Sequence, residues 1–176
     1  MGRLLTVYLL SLIIFAYIPS ILTCNGYTFL LDDLKNCDPN NIVNIENAEI
    51  KMDADCNLVM SASGSSQEGF QNAEGNYTIT NSERGDKSEG QSDFCQSKKT
   101  DNIFLKLAKM FITLNQSCPI PPDSVENIKY EANVKKFKYF FPLVSGKTNV
   151  TVNINHGEGV GNTCLAVTFS LTKNDS

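Results

Sequence analysis

Short stretches of the chain alternate hydrophobic and polar residues, which is the pattern of β-strands that bury one face. The alternation occurs in five segments, which are residues 42–52, 56–62, 75–80, 148–154 and 164–171. In residues 148–154, Val150, Val152 and Ile154 fall on one face. Polar turn clusters separate the segments, so the sequence predicts an all-β fold, an antiparallel β-sandwich.

The connections between these strands differ in character. Residues 63–69 are polar and predict a turn, whereas residues 81–93 are too polar for the core and predict a mobile loop that runs into an edge strand. Residues 156–162 contain three glycines and predict the hairpin between the last two strands. Their glycine spacing does not fit a dinucleotide-binding motif, and no helix follows them.

One segment, residues 101–114, departs from the strand pattern. Its hydrophobic side chains recur at helical spacing, at Ile103, Phe104, Leu107, Phe111 and Leu114. Thr100 or Asp101 can serve as the N-cap. The sequence therefore predicts one short amphipathic helix inserted between Cys95 and Cys118, whose apolar face either closes the sandwich or borders a ligand cavity.

The N-terminus has the order of charged, apolar and small residues that is typical of a secretory signal. Arg3 is the only charged residue among the first 31, and the apolar stretch 4–18 follows it. As a helix this stretch would rise about 22 Å, which is short of the ~30 Å of a bilayer core. We expect residues 1–23 to be a signal peptide and residues 24–176 to be a single secreted domain.

Composition and charge narrow the possible partners. The chain is 41% hydrophobic and 19% charged, as in globular domains, and its net charge of −4 becomes −5 once Arg3 is removed. A mildly acidic chain without a long basic run is a poor nucleic-acid binder, because phosphate contacts need clustered lysine and arginine. The local lysine cluster at residues 135–138 is interpreted as the solvated face of a strand.

Secretion places the cysteines in an oxidising compartment. They are Cys24, Cys37, Cys56, Cys95, Cys118 and Cys164. Pairing Cys37 with Cys164 would tie the two ends of the domain together, and pairing Cys95 with Cys118 would clamp the helix. Cys56 is then either a free thiol or the partner of Cys24, which requires signal cleavage before residue 24.

No cofactor, metal centre or catalytic group is predicted. The chain has one histidine, His156, and no C-x-x-C pair, so zinc spacing is absent. No G-x-S-x-G elbow occurs, and the acidic pairs Asp32-Asp33 and Asp53/Asp55 fit neither a calcium loop nor a glycosidase motif. We interpret the chain as a binder rather than an enzyme, with a hydrolase acting through His156 as a lower-ranked hypothesis. Four sequons are candidate glycosylation sites, at Asn76, Asn115, Asn149 and Asn174.

Several motifs, in their order along residues 29–174, resemble the ganglioside-activator branch of the MD-2-related lipid-recognition family. They are Asn36-Cys37-Asp38, Asp93-Phe94-Cys95, Cys118-Pro119-Ile120, Pro142-Leu143-Val144-Ser145-Gly146 and Gly161-Asn162-Thr163-Cys164-Leu165. The resemblance implies a sandwich or cup with an apolar cavity that shields a lipid. It also implies disulfides between Cys37 and Cys164 and between Cys95 and Cys118.

The same resemblance supplies the expected function and partners. Family members bind a lipid or glycolipid, and activators lift it from a membrane and present it to a soluble glycosidase, while other relatives act in chemosensation. Activators enter membranes through exposed aromatic and apolar loops. This chain has no tryptophan, so phenylalanine and leucine would have to serve there. It also has fewer cysteines than vertebrate activators.

We therefore expect a secreted, non-catalytic lipid-binding protein, with delivery to lysosomes or a receptor as further alternatives. The competing hypothesis is a secreted chemosensory or other interaction module with little or no lipid cavity. The candidate cavity-lining residues are Phe104, Leu107, Phe111, Phe140, Phe141 and Val152. Residues 139–142 are the candidate cavity mouth, since consecutive aromatic residues in a strand cannot all point inward.

Overall fold

The computed structural model describes residues 23–96 and 103–174, so the predicted signal peptide and the predicted N-cap at Thr100 or Asp101 lie outside the described residues. The strands are β1 (Tyr27–Asn36), β2 (Val43–Met52), β3 (Asn57–Ser66), β4 (Glu74–Asn81), β5 (Lys87–Asp93), β6 (Asp123–Asn133), β7 (Gly146–Asn155) and β8 (Asn162–Lys173). The helices are α1 (Ile103–Ile112), a 3-10 helix (Lys135–Phe140) and α2 (Phe141–Val144).

The strands form two antiparallel sheets, which confirms the predicted all-β sandwich. The larger sheet has the strand order β1-β8-β7-β4-β5, and the smaller sheet has the order β2-β3-β6. The two sheets meet where β1 lies beside β2. There the Asn36 side chain accepts a hydrogen bond from the Ile45 amide and donates one to the Ile45 carbonyl, both at 3.1 Å. An asparagine amide thus replaces a backbone partner between the sheets.

Helix α1 lies between the two sheets, where its side chains contact residues of β2, β7 and β8. Most of its side chains are buried, including Leu107, Met110 and Phe111. Immediately after the helix, Leu114 packs on β3 at Gly64, where an added Cβ would lie 2.6 Å from the Leu114 Cδ2 atom. A larger residue at position 64 would therefore require the Leu114 and Ile45 side chains to shift.

All six cysteines form disulfides, so the alternative of a free Cys56 is not realised in this structure. The pairs are Cys24–Cys56, Cys37–Cys164 and Cys95–Cys118, with Cα–Cα distances of 4.8, 5.1 and 5.4 Å. The second pair joins the end of β1 to β8, and the third closes the chain around α1. The disulfides therefore hold both the edge where the sheets meet and the inserted helix.

Three strands lack the alternation from which strands were predicted. β1 carries a bulge between Leu31 and Asp33, which shifts the pattern by one position. β5 is a polar edge strand, and it occupies part of the segment interpreted as a mobile loop. β6 buries Ile128 but few other side chains, because it too lies at a sheet edge. In addition, β3 continues to Ser66, so the predicted turn at residues 63–69 begins four residues later than expected.

The segment that contains the aromatic residues 139–142 is helical, which corrects the prediction of a strand there. The 3-10 helix runs directly into α2, and Pro142 lies in the first turn of α2. Proline suits that position because its fixed φ is helical and its missing N–H would have had no partner in the helix. The lysine cluster at residues 135–138 consequently lies on this helical segment rather than on a strand.

Candidate functional site

A small apolar cavity lies where helix α1 meets both sheets. Nine hydrophobic residues line it, namely Ile50, Leu107, Ala108, Phe111, Val150, Val152, Leu165, Val167 and Phe169. It leaves about 20 Å³ for the centre of a water-sized sphere, which is roughly the room of one water molecule. Since hydrocarbon side chains cannot hydrogen-bond a water, this gap is an apolar void between the layers.

The predicted cavity residues separate into three groups. Leu107, Phe111 and Val152 line the void. Phe141 is buried elsewhere, with its ring edge-on to Tyr27 at a centroid distance of 5.6 Å. Phe140 does not line the interior, because it is 56% exposed on the helical segment described above. Phe104 belongs to α1, but its side chain lies outside the described part of the structure.

Six further residues line the void that were not among the predicted cavity residues. They are Ile50, Ala108, Val150, Leu165, Val167 and Phe169. All except Ala108 belong to segments whose alternation had predicted strands. The apolar positions of those strands could therefore have been used to predict these lining residues. Ala108 could not be recognised in the same way, because a small side chain contributes little to a hydrophobic periodicity.

The surface carries a cluster of exposed hydrophobic residues beside lysines, which we call the basic-apolar segment (residues 135–144). Its exposed side chains are Tyr139 at 77%, Phe140 at 56%, Leu143 at 59% and Val144 at 42%. Lys135 and Lys136 are exposed, and Lys138 is half-buried. The ammonium groups of Lys136 and Lys138 lie 4.8 and 5.1 Å from the ring centres of Phe137 and Tyr139. The ten residues of this segment thus present both positive charge and apolar side chains at the surface.

Three contacts hold this segment on the sandwich. Phe141 points inward and packs on Tyr27, which leaves its neighbours outward. Before the segment, the Val134 amide donates a hydrogen bond to the Cys56 carbonyl at 2.8 Å. After it, the buried Asn81 side chain donates one to the Ser145 carbonyl at 3.0 Å. The outward presentation of the aromatic and leucine side chains therefore follows from fixed anchors at both ends.

Gly146 makes the sharp change of direction from the segment into β7. Its φ is +102°, and an added Cβ would lie 2.6 Å from a carboxylate oxygen of Glu83. Both the backbone conformation and the close approach favour glycine at this position.

His156 is the one imidazole of the chain and is buried in the β7–β8 connection. Its Nε2 lies 2.8 Å from the Thr163 hydroxyl, and its Nδ1 lies 3.3 Å from the Asn72 carbonyl oxygen. Burial lowers the pKa of His156, and the hydrogen bond to Asn72 opposes this in part. The Thr163 hydroxyl is itself buried, so a substrate cannot reach this pair without an opening of the fold.

The four candidate glycosylation sites lie in different environments. Asn76 is exposed on β4, and Asn115 is exposed just after α1, with its side chain bonded to the Lys129 carbonyl. Asn149 is half-buried on β7, and both ends of its amide are hydrogen-bonded. Asn174 is half-buried and donates to the Thr28 hydroxyl. Asn76 therefore offers the least obstructed attachment point.

Within residues 23–96 and 103–174, no group of three or more histidine, cysteine or acidic side chains is arranged to hold a metal ion. In the same residues, no helix has the length and hydropathy to cross a bilayer. No protein-family model matches the chain, and no curated protein matches it either. The resemblance to lipid-recognition proteins therefore stays a prediction from the sequence motifs.

Proposed function

We propose that this protein is a secreted, non-catalytic lipid-binding protein that meets membrane surfaces through the basic-apolar segment and holds a lipid chain in its interior. The observation that carries the proposal is the outward presentation of Tyr139, Phe140, Leu143 and Val144 beside lysines. Clustered exposed apolar side chains mark interaction sites, and an aromatic and basic combination suits the boundary of a lipid bilayer.

Charge favours a membrane over a protein as the occupant of this surface. After removal of Arg3 the chain carries a net charge of −5, so its overall charge opposes binding to anionic lipid. The lysines of the basic-apolar segment have no carboxylate partner among the described residues, whereas Lys35, Lys51 and Lys87 are each paired with one. Each unpaired lysine near an anionic leaflet contributes about 1 kcal/mol to binding. The segment is therefore the face by which an acidic protein can approach such a membrane.

The interior supports the second part of the proposal by its chemistry. The void is bordered by hydrocarbon from both sheets and from α1, so an acyl chain placed there would meet no polar group. Each methylene moved out of water contributes about 0.8 kcal/mol. Since this void has room for about one water molecule, a lipid chain can enter it only if the surrounding layers move apart.

That same small volume is the observation that favours the competing hypothesis, an interaction module without a lipid cavity. The two hypotheses differ in whether a lipid occupies the interior. A fluorescent fatty acid and a fluorescent glycolipid, each titrated into delipidated protein, would separate them. Saturable binding at one site per chain is expected for a lipid-binding protein. If no lipid of a broad panel binds, the interior part of the proposal is wrong, whatever the membrane assay shows.

The membrane part is tested by co-sedimentation with vesicles of neutral phosphatidylcholine containing added phosphatidylserine. We expect the double variant Phe140→Ser with Leu143→Ser to lose most of its vesicle binding. Leu30→Ser is the matched control, because Leu30 is 50% exposed on β1 and outside the segment. Equal losses in the two variants, or no binding of the unaltered protein to any vesicle, would contradict a membrane role. Binding to a soluble glycosidase or receptor through the same residues, without vesicle binding, would assign the surface to a protein partner instead.

A further inference from the structure

The surroundings of His156 join parts of the chain that are distant in sequence. Its ring lies against the Phe70 ring at a centroid distance of 4.1 Å and an interplanar angle of 51°. Phe70 in turn exchanges two backbone hydrogen bonds with Ile120, at 2.9 and 2.8 Å. On the other side of the His156 ring is Thr163 at the start of β8, whose hydroxyl oxygen also accepts a hydrogen bond from the Val43 amide at 3.1 Å. Val43 opens β2 of the smaller sheet, so a continuous chain of hydrogen bonds runs from the histidine across both sheets.

The partners determine which ring nitrogen carries the proton. The Asn72 carbonyl can only accept, so we assign the hydrogen to Nδ1. The Thr163 oxygen already accepts the Val43 amide, and its own hydrogen is then free to be donated to Nε2. The neutral imidazole therefore satisfies every polar group in this chain of bonds.

Protonation of Nε2 would remove that match. The new Nε2–H would point at the Thr163 oxygen, where the hydroxyl hydrogen already lies between the two atoms. The Thr163 hydroxyl hydrogen would therefore have to rotate away from the ring. The positive charge would also be buried with no carboxylate beside it in the described part of the chain, which is costly.

Among the residues that the structure describes, the elements packed around the ring supply no compensating charge at contact distance. The hairpin that carries His156 contributes Glu158, which is exposed and lines the depression outside the ring. The β3–β4 connection contributes Gln71 and Asn72, and the chain after α1 contributes Pro119 and Ile120. From β2 and β8, the neighbours are the uncharged Val43 and Thr163.

We propose that His156 is an acid-sensitive latch between the two sheets. Its protonation breaks the hydrogen bond from the Thr163 hydroxyl to Nε2 and favours opening of this end of the sandwich, where the Val43 amide is held. The proposal does not depend on lipid binding, because it concerns how the sheets are held together. It would make the protein more open in an acidified compartment than at neutral pH.

The sign of the pH dependence follows from burial. Burial lowers the pKa of His156 below its ordinary value of about 6.5. The unfolded or locally opened chain therefore binds a proton more readily than the closed form. The stabilisation is complete above about pH 6.5 and is lost as the pH falls through the lowered pKa.

The experiment uses the full secreted chain at pH 7.5 and 5.0, with amide exchange rates corrected for the intrinsic effect of pH. Because there is a single histidine, its ring proton signal in NMR titrates without ambiguity. We expect the midpoint of the His156 titration to lie below pH 6.5. On acidification, opening at the Val43 amide should increase by up to about tenfold for each pH unit by which the His156 pKa is lowered. The Val150 amide, in the middle of the larger sheet, should change little.

Variants separate the latch from a general effect of acid. His156→Gln should remove the pH dependence at Val43, and the matched control Glu158→Gln should keep it. Should His156→Gln fail to fold, Thr163→Val gives the second test, with a Val43 amide that exchanges fast at both pH values. An imidazole that titrates at its ordinary pKa, or acid-induced opening that persists in His156→Gln or Thr163→Val, would overturn the proposal.

Discussion

At the scale of single residues, asparagine side chains act as substitutes for missing backbone partners. Asn36 bonds both polar atoms of the Ile45 backbone, and Asn41 does the same for Cys164, donating to its carbonyl at 2.9 Å and accepting from its amide at 2.7 Å. Asn81 anchors the chain after the basic-apolar segment. These amides lie at the places where strands end, because the regular ladder supplies no partner there.

Removing the Asn41 side chain should destabilise the whole domain. Asn41 is fully buried, so Asn41→Ala leaves the Cys164 amide without its partner, while the Cys164 carbonyl keeps the hydrogen bond from the Cys37 amide. We expect the free energy of unfolding to fall by about 1–3 kcal/mol. Urea unfolding with intact disulfides measures it, and the exposed neighbour gives the control variant Asn40→Ala, which should change stability little. Equal stabilities of the two variants would show that the amide is not needed at the join.

Glycosylation is expected to distinguish the sequons according to their surroundings. Asn149 donates to the Ser82 hydroxyl at 2.9 Å and accepts from the Thr168 hydroxyl at 2.8 Å, and a glycan there would disturb both bonds. Asn76 is exposed and free of such constraints on the outer face of β4. In protein secreted from eukaryotic cells, Asn76→Gln should lower the intact mass by one glycan. Asn149→Gln should leave the glycan mass unchanged, and the reverse result would contradict this reading.

At the scale of elements, α1 and the basic-apolar segment are both short, apolar and helical, yet one is inside and the other outside. The Cys95–Cys118 disulfide joins the chain before helix α1 to the chain after it, and the helix is buried between the two sheets. The basic-apolar segment packs inward through Phe141 and, in part, Phe137, and no layer covers its exposed side chains. Whether a short apolar helix is buried thus depends on whether it lies between the two sheets, and its hydrophobicity alone does not decide it.

The lysines of the basic-apolar segment should set the lipid preference of the protein. Replacing Lys135, Lys136 and Lys138 together with glutamine removes about 1 kcal/mol per lysine from binding to an anionic surface. Binding to vesicles rich in phosphatidylserine should fall roughly 100-fold at low salt, with a much smaller change for neutral vesicles.

A second triple variant controls for net charge. Lys35, Lys51 and Lys87 lie outside the segment and are paired with carboxylates, so their replacement with glutamine changes the net charge equally. It should affect vesicle binding far less than replacement of the segment lysines. If both triple variants lose binding alike, the attraction belongs to the overall charge and not to this surface.

At the scale of the whole molecule, two sheets joined along one edge are held by three disulfides, and a helix fills the space between them. The Cys24–Cys56 bond ties the chain before β1 to the start of the smaller sheet, close to the anchor of the basic-apolar segment at Val134. This bond can exist in a secreted protein only if the signal peptide is removed before residue 24.

We therefore expect the mature protein to begin at or before Cys24 and to contain no free thiol. Cleavage after Cys24 or Gly26 would leave Cys56 unpaired, because the other four cysteines pair with each other. Intact mass measurement gives the first residue, and thiol labelling of the denatured, unreduced protein counts free cysteines. One reactive thiol per chain would contradict the structure at Cys24–Cys56.

The local pattern of residues was enough to predict part of this architecture. Val150, Val152 and Ile154 alternate along β7 because one face of that strand is buried, and the periodicity near Leu107 and Phe111 predicted α1. The edge strand β6 was not recognised, and β5 was expected only as an edge strand that a mobile loop enters, because strands with little buried surface carry little alternation. Hydrophobic periodicity indicates which face of a helix or strand is buried, so it predicts only elements that have a buried face.

The sequence by itself determined the all-β class and the inserted helix, since these depend on local spacing, and its six cysteines supplied the candidates for disulfides. Only the tertiary structure decided that Phe141 is buried while Phe140 is exposed, because the difference depends on Tyr27, more than a hundred residues earlier. It also decided that His156 bonds to Thr163 and through it to Val43. Such contacts join residues that are remote in sequence, and no local pattern records which distant surface a side chain will meet.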